Sequence, residues 1–117
     1  MSGLLSYAQG FAGEQRVEAH YAAPGARLIA RRWRGSTGEV DLIFRDAGGY
    51  AFVEVKTSRT VESALQSLRP AQVSRILATG AEFLDTTPKG QLTSARFDLA
   101  AVDTTGRVEV VENALSA

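Results

Sequence analysis

Glu54 and Lys56 stand two residues apart in the run Tyr50-Ala51-Phe52-Val53-Glu54-Val55-Lys56-Thr57, which is rich in aromatic and β-branched residues. Such a run reads as a strand, and a spacing of two puts both charges on one face of its sheet. One reading is an ion pair at the sheet surface, which contributes only ~0–1 kcal/mol when exposed. The other brings in Asp41. Val40, Leu42 and Phe44 alternate with Glu39, Asp41, Ile43 and Arg45, so Asp41 falls on the polar side of a neighbouring strand, within reach of Glu54 across the ladder. Two carboxylates side by side repel unless a hard cation lies between them. Mg²⁺ prefers oxygen ligands and commonly takes one or two carboxylates, with waters and substrate phosphate completing its shell. A metal held there polarises a phosphate and acidifies a bound water, while Lys56 orients that water or offsets charge on the phosphorus. Phosphodiester hydrolysis with Mg²⁺ (or Mn²⁺) is the reaction that suits this trio.

Other residues invite the same question. Glu14 lies three before Val17 and seven before Tyr21, at the border of a helical apolar stripe, where it either joins the site or simply favours a helix N-terminus. Glu39 shares the Asp41 face and is a secondary candidate beside a turn. Arg31, Arg32 and Arg34 surround Trp33, a combination that grips phosphates and stacks an unpaired base. A half-buried tryptophan flanked by solvated arginines explains the same string. His20 is the sole histidine, so zinc and serine-triad chemistry have no partner residues. Gly48-Gly49 lacks the lysine and spacing of a phosphate-binding loop, which argues against ATP or dinucleotide use.

These residues need elements to hold them. Tyr7 to Ala23 carries apolar residues at helical spacing, with Phe11, Val17 and Tyr21 on one stripe, and Pro24-Gly25 stops it. Strands follow at Arg27 to Trp33 and around Val40 to Phe44, joined through Gly35-Ser36-Thr37-Gly38, with the Tyr50 to Thr57 strand after Gly48-Gly49. Together these make a three-stranded antiparallel meander. Pro70 opens a second helix with Val73, Ile76, Leu77, Ala81 and Leu84 on one face. Arg96 to Val102 and Arg107 to Val111 are the last strands, and Ser58 to Arg69 and Asp85 to Ala95 read as loops. The expected architecture is α/β, a mixed central sheet of about five strands flanked by helices, in the order α-β-β-β-α-β-β.

Composition bounds the setting. The chain has 117 residues, 44% hydrophobic, enough for one core and a single domain spanning 1–117. Thirteen basic and thirteen acidic residues give a net charge of zero, so any nucleic-acid contact must come from a local patch. The absence of cysteine excludes disulfides, thiolate zinc sites and cysteine nucleophiles, and fits a reducing cytoplasm. Met1 to Gly10 lacks the pattern of a signal peptide and no run approaches a membrane span, so a cytoplasmic protein without membrane contact is expected.

Gly38-Glu39-Val40-Asp41-Leu42-Ile43 followed by Phe52-Val53-Glu54-Val55-Lys56-Thr57 resembles the PD-(D/E)XK nuclease signature, and Holliday junction resolvases in particular. The chain also resembles the uncharacterised bacterial YraN family, from Gly13-Glu14 through Arg32-Trp33-Arg34 and the two strings above to Arg96-Phe97-Asp98 and Asn113-Ala114. The resemblance implies a restriction-endonuclease-like fold with Glu14, Asp41, Glu54 and Lys56 at the catalytic positions. It further implies a metal held by Asp41, Glu54 and the main chain of Val55, and nucleic acid, DNA foremost, as partner. Where such proteins carry a lysine in the second helix this chain has Gln72, a position expected to face nucleic acid. By analogy with resolvases, which make two equivalent cuts in a four-way junction, the resemblance also suggests a homodimer.

Three functions remain open on the sequence. They are a metal-dependent endonuclease acting on branched or otherwise unusual DNA, a nucleic-acid-binding module without turnover, and an interaction protein that keeps the fold for packing alone.

Overall fold

Two short connections, residues 35–38 and 47–48, fold β1 (Arg27–Arg34), β2 (Glu39–Asp46) and β3 (Gly49–Thr57) into the expected antiparallel meander. Gly49 begins β3 at φ +126°, and a Cβ there would strike the Ser94 carbonyl, so the position demands glycine. The structure is a computed structural model that describes the backbone of residues 3–115 and the side chains from residue 12 onward. From β3 the chain crosses through α2 (Val61–Gln66) and α3 (Pro70–Leu84) and returns as β4 (Ala95–Val102), parallel to β3. β5 (Val108–Val111) then pairs antiparallel with β4, giving a five-stranded mixed sheet ordered β1-β2-β3-β4-β5. The sheet, its flanking helices and the order of its strands agree with the expectation.

Two stretches expected as loops carry structure. Within 58–69 lies α2, capped by Thr60, whose hydroxyl accepts the Ser63 N–H at 3.0 Å, and anchored by buried Ala64 against Leu99 and Ala101. Within 85–95 lies one 3₁₀ turn, Gly90–Leu92.

The helices cover opposite faces. On one face α1 (Gly3–Ala22) packs Val17 and Tyr21 against Leu42, Phe44, Ala51, Val53, Ala100 and Val102. The side chain of Phe11, the third member of the expected stripe, lies outside the described residues. On the other face α3 packs Ile76, Phe83 and Leu84 against Val40, Ile43 and Phe52. Burial of a side chain the size of Phe83 stabilises by roughly 1.5–3 kcal/mol, so this layer matters as much as the first. Ile43 is therefore not on a polar face as the alternation suggested: it is fully buried, because helices cover the sheet on both sides.

The buried face of α3 is also rotated from the expected one. Ile76, Thr79, Gly80, Phe83 and Leu84 are buried, while Leu77 and Ala81 are only half-buried. Gly80 explains the rotation, since a Cβ there would lie 2.5 Å from Phe97 Cε1; its absence lets the helix close on that ring. Phe83 then enters an aromatic cluster, with ring centroids 5.3 Å from Trp33, 5.3 Å from Tyr50 and 5.7 Å from Phe52.

One buried polar network locks α1 to the sheet. Asp98, fully buried in β4, accepts from Tyr21 Oη at 2.7 Å, Arg96 Nε at 3.1 Å and the Asn113 N–H at 2.9 Å. Arg96 Nη1 reaches on to Asp46 at 3.2 Å. Burial and the Asp98 charge push the Tyr21 phenol well above its ordinary range, so it serves as a hydrogen-bond donor throughout the accessible pH range.

Candidate functional site

The site forms where β2 and β3 separate. Their ladder ends at the pair Leu42–Val53, and beyond it the Asp41 side chain, not the main chain of β2, takes the Val55 N–H, at 2.8 Å to Oδ2. In an extended strand the N–H and C=O of one residue point to the same side, so the Val55 carbonyl also faces the Asp41 side. At this fork the face alternation of β2 slips, with Val40 packing toward α3 and Leu42 toward α1.

Glu54 follows Phe52 on the α3 side of β3, and its side chain is only 9% exposed. Its Oε2 atom accepts from Gln72 Nε2 at 2.8 Å and lies 3.6 Å from Lys56 Nζ. Burial pushes the Glu54 carboxyl up to about 8, the charge of Asp41 and a hydrogen bond with it push in the same direction, and Lys56 opposes them. The structure thus brings together Asp41, Glu54, Val55, Lys56 and Gln72. Gln72 stands in the first turn of α3, which Pro70 opens, and its amide lies against the Glu54 carboxylate.

The other candidates make other contacts. Glu14 is paired with Arg32 Nη2 at 2.8 Å, and among the described residues no hydrogen bond or ion pair joins it to Asp41, Glu54 or Lys56. Arg31 makes a two-pronged pair with Glu18 at 2.9 and 3.0 Å, and Arg34 pairs with Glu39 at 3.2 Å. Trp33 turns inward against Phe83. Arg31 and Arg32 both reach α1 because Arg32 adopts φ +49°, which breaks the alternation of β1 at its edge. His20 is exposed on α1.

Hard divalent cations suit this donor set. Two carboxylates and a carbonyl are all oxygen, the buried member carries a proton at neutral pH unless a cation replaces it, and one Glu54 oxygen is already held by an amide. Among the described residues no group of three or more histidine, cysteine, aspartate or glutamate side chains converges. A metal at this donor set would take the rest of its shell from water and substrate and not from a closed cage of such side chains.

Residues 13–102 match the model of a family described as uncharacterised protein family UPF0102. The chain belongs to UPF0102. This is the YraN family that the sequence resembles. Among UPF0102 relatives, a protein of Cereibacter sphaeroides is 46% identical over 117 residues, covering 100% of both chains. One from Ruegeria pomeroyi is 49% identical over 112 residues, covering 96% of this chain and 91% of its own. One from Roseobacter denitrificans is 45% identical over 115 residues, covering 98% and 89%. Among solved structures, a repair endonuclease from Pyrococcus abyssi is similar at TM-score 0.46 and 20% identity, covering 77% of this chain and 38% of its own. SfsA of Pyrococcus furiosus in complex with Ca²⁺ is similar at TM-score 0.44 and 16% identity, covering 92% and 62%. No helix among the described residues of this UPF0102 chain is long and apolar enough to cross a membrane.

Proposed function

We propose that this UPF0102 protein hydrolyses phosphodiester bonds in DNA with a divalent metal, Mg²⁺ or Mn²⁺, held by Asp41, Glu54 and the Val55 carbonyl. The observation that carries the reading is the buried Glu54 carboxyl set between Asp41 and Lys56 at the open end of the β2–β3 ladder. Burying the Glu54 carboxyl beside the half-buried Asp41 costs free energy that Lys56 and Gln72 offset only in part, and such perturbed groups cluster at functional sites. When bound, a metal supplies charge for the phosphate oxygens and a more acidic water. Glu54 and Asp41 orient their oxygens toward that position, one fixed by Gln72 and the other by the Val55 N–H. Lys56, a quarter exposed, presents its ammonium beside them to offset charge on the phosphorus.

A second reading, nucleic-acid binding without turnover, is favoured by one observation: Gln72 occupies a Glu54 oxygen with a neutral amide. For a branched substrate a homodimer places two such sites about a two-fold axis, which sedimentation tests directly. The deciding experiment incubates the protein with labelled four-way junction, flap, single-stranded and duplex DNA in Mg²⁺, Mn²⁺ or EDTA. The nuclease reading expects metal-dependent cutting that both Glu54→Ala and Lys56→Ala abolish. DNA binding that survives Glu54→Ala without any cutting selects the second reading.

A further inference from the structure

The charges of the two surfaces that could meet a DNA strand differ in one respect. On β1 every arginine of the Arg31–Arg34 run has a glutamate partner. At the start of α3, the N-cap residue Arg69 and the helical Arg75 are exposed, and among the described residues neither has an ion-pair partner. They stand three residues before and three after Gln72, with Arg69 the extended N-cap residue and Gln72 and Arg75 inside the helix, so Gln72 and Arg75 are neighbours on a strip that Arg69 opens. The first turn of α3 holds no acidic residue. The strip ends toward the C-terminus at Glu82, whose carboxylate is taken by the Ser36 N–H at 3.0 Å and hydroxyl at 3.1 Å. Arg75 emerges beside the start of β2, its Cβ 3.4 Å from where a Gly38 Cβ would stand.

Six residues of helix rise about 9 Å, which spans two to three phosphates of one duplex strand along its axis. The midpoint of that span is Gln72, in contact with Glu54. We infer that Arg69 and Arg75 grip the phosphates on either side of the reacting one, so that α3, and not β1, lays the DNA strand across the Asp41–Glu54 fork. The inference rests on the nucleic-acid reading above and adds to it the surface that holds the strand. Arginine suits the role because its planar fork stays charged and binds phosphate through two hydrogen bonds.

The test measures fluorescence anisotropy of labelled duplex and single-stranded DNA in Ca²⁺ over a salt series. It compares the wild-type chain with three double variants: Arg69→Gln with Arg75→Gln, Arg31→Gln with Arg34→Gln, and Arg45→Gln with Lys89→Gln. The last pair lines a separate cleft of about 290 Å³ at the far end of the β2–β3 hairpin and is matched in charge. Circular dichroism melts show that each variant is folded. The expected result is a salt slope on duplex reduced by about 1.8 for the α3 pair, roughly 0.9 per lost phosphate contact, with affinity down ~10-fold per arginine and both other pairs within about 3-fold of wild type. DNA binding that the α3 pair leaves intact, or that the β1 or far-end pair weakens equally, overturns the inference while leaving the nucleic-acid reading standing. A wild-type chain that binds no DNA at any salt removes both.

Discussion

Replacing Glu54 with glutamine tests the electrostatics of the site without any substrate. The folded chain holds the Glu54 proton until about pH 8, where an unperturbed glutamate releases it near 4.5. Because the folded state favours the protonated form, its contribution to stability is complete below the unfolded value and is lost as pH rises through the folded one. At about 1.4 kcal/mol per pH unit this amounts to at most about 5 kcal/mol between pH 4.5 and 8. Glu54→Gln keeps the size and an acceptor for Gln72 but removes the titration. Urea unfolding in EDTA from pH 5 to 9 is therefore expected to show wild-type stability falling by several kcal/mol relative to the variant, so that Glu54→Gln is the more stable chain at pH 9. A metal reverses the order, since it binds only the ionised carboxylate. At pH 7 metal binding to wild type is expected to release protons, and affinity is expected to rise with pH until the Glu54 carboxyl is ionised, near pH 8, and then level off. Parallel stability profiles for the two chains, together with metal binding that releases no proton, would refute the reasoning.

Other consequences are open to measurement. Asp98→Ala strands three donors in the interior and is expected to cost about 3–5 kcal/mol in urea unfolding, whereas Tyr21→Phe removes one of them and costs about 1–2 kcal/mol. Gly80→Ala drives a methyl group against the Phe97 ring, and a loss of about 1–3 kcal/mol is expected from the same measurement. Gln72→Lys places a cation against Glu54 and favours its ionised form, so the stability of that variant should stop falling at a lower pH than wild type and fall by less in total. Arg31→Ala removes a pair whose arginine is 64% exposed, and it should change stability by less than about 1 kcal/mol.

The meander was legible because β1, β2 and β3 carry their own punctuation: 35–38 and 47–48 are turn residues, and the Tyr50 to Thr57 run has strand composition. That Glu54 and Lys56 share a face was legible because period-two spacing fixes a face whatever covers it, whereas the slip of β2 at the fork sets the Asp41 side chain against the Val55 N–H in a way alternation does not encode. What covers the sheet was not legible, since Ile43 reads as an interruption of a polar face until α3 is seen lying over it. The second helix was found, but its buried face was misplaced: Gly80 and Thr79 carry no apolar signal, and only the approach of Phe97 shows that the helix turns its small residues inward. The short α2 did leave a trace, Thr60 as a cap followed by Val61, Ala64 and Leu68 at helical spacing, which is too brief for periodicity to outweigh its polar neighbours. The contact of Gln72 with Glu54 joins residues 18 apart through a crossover, and no local pattern encodes it. The partners of Arg31 and Arg32 were not legible either, since Glu18 and Glu14 stand on a different element, α1, and no local pattern pairs them.

The most direct test of the account is anomalous diffraction from crystals soaked in Mn²⁺. The account predicts one strong peak in the β2–β3 fork, within bonding distance of Asp41, Glu54 and the Val55 carbonyl, and lost in Asp41→Asn. Crystals that take up Mn²⁺ elsewhere while the fork stays empty, with Glu54 still protonated against Asp41, would contradict it.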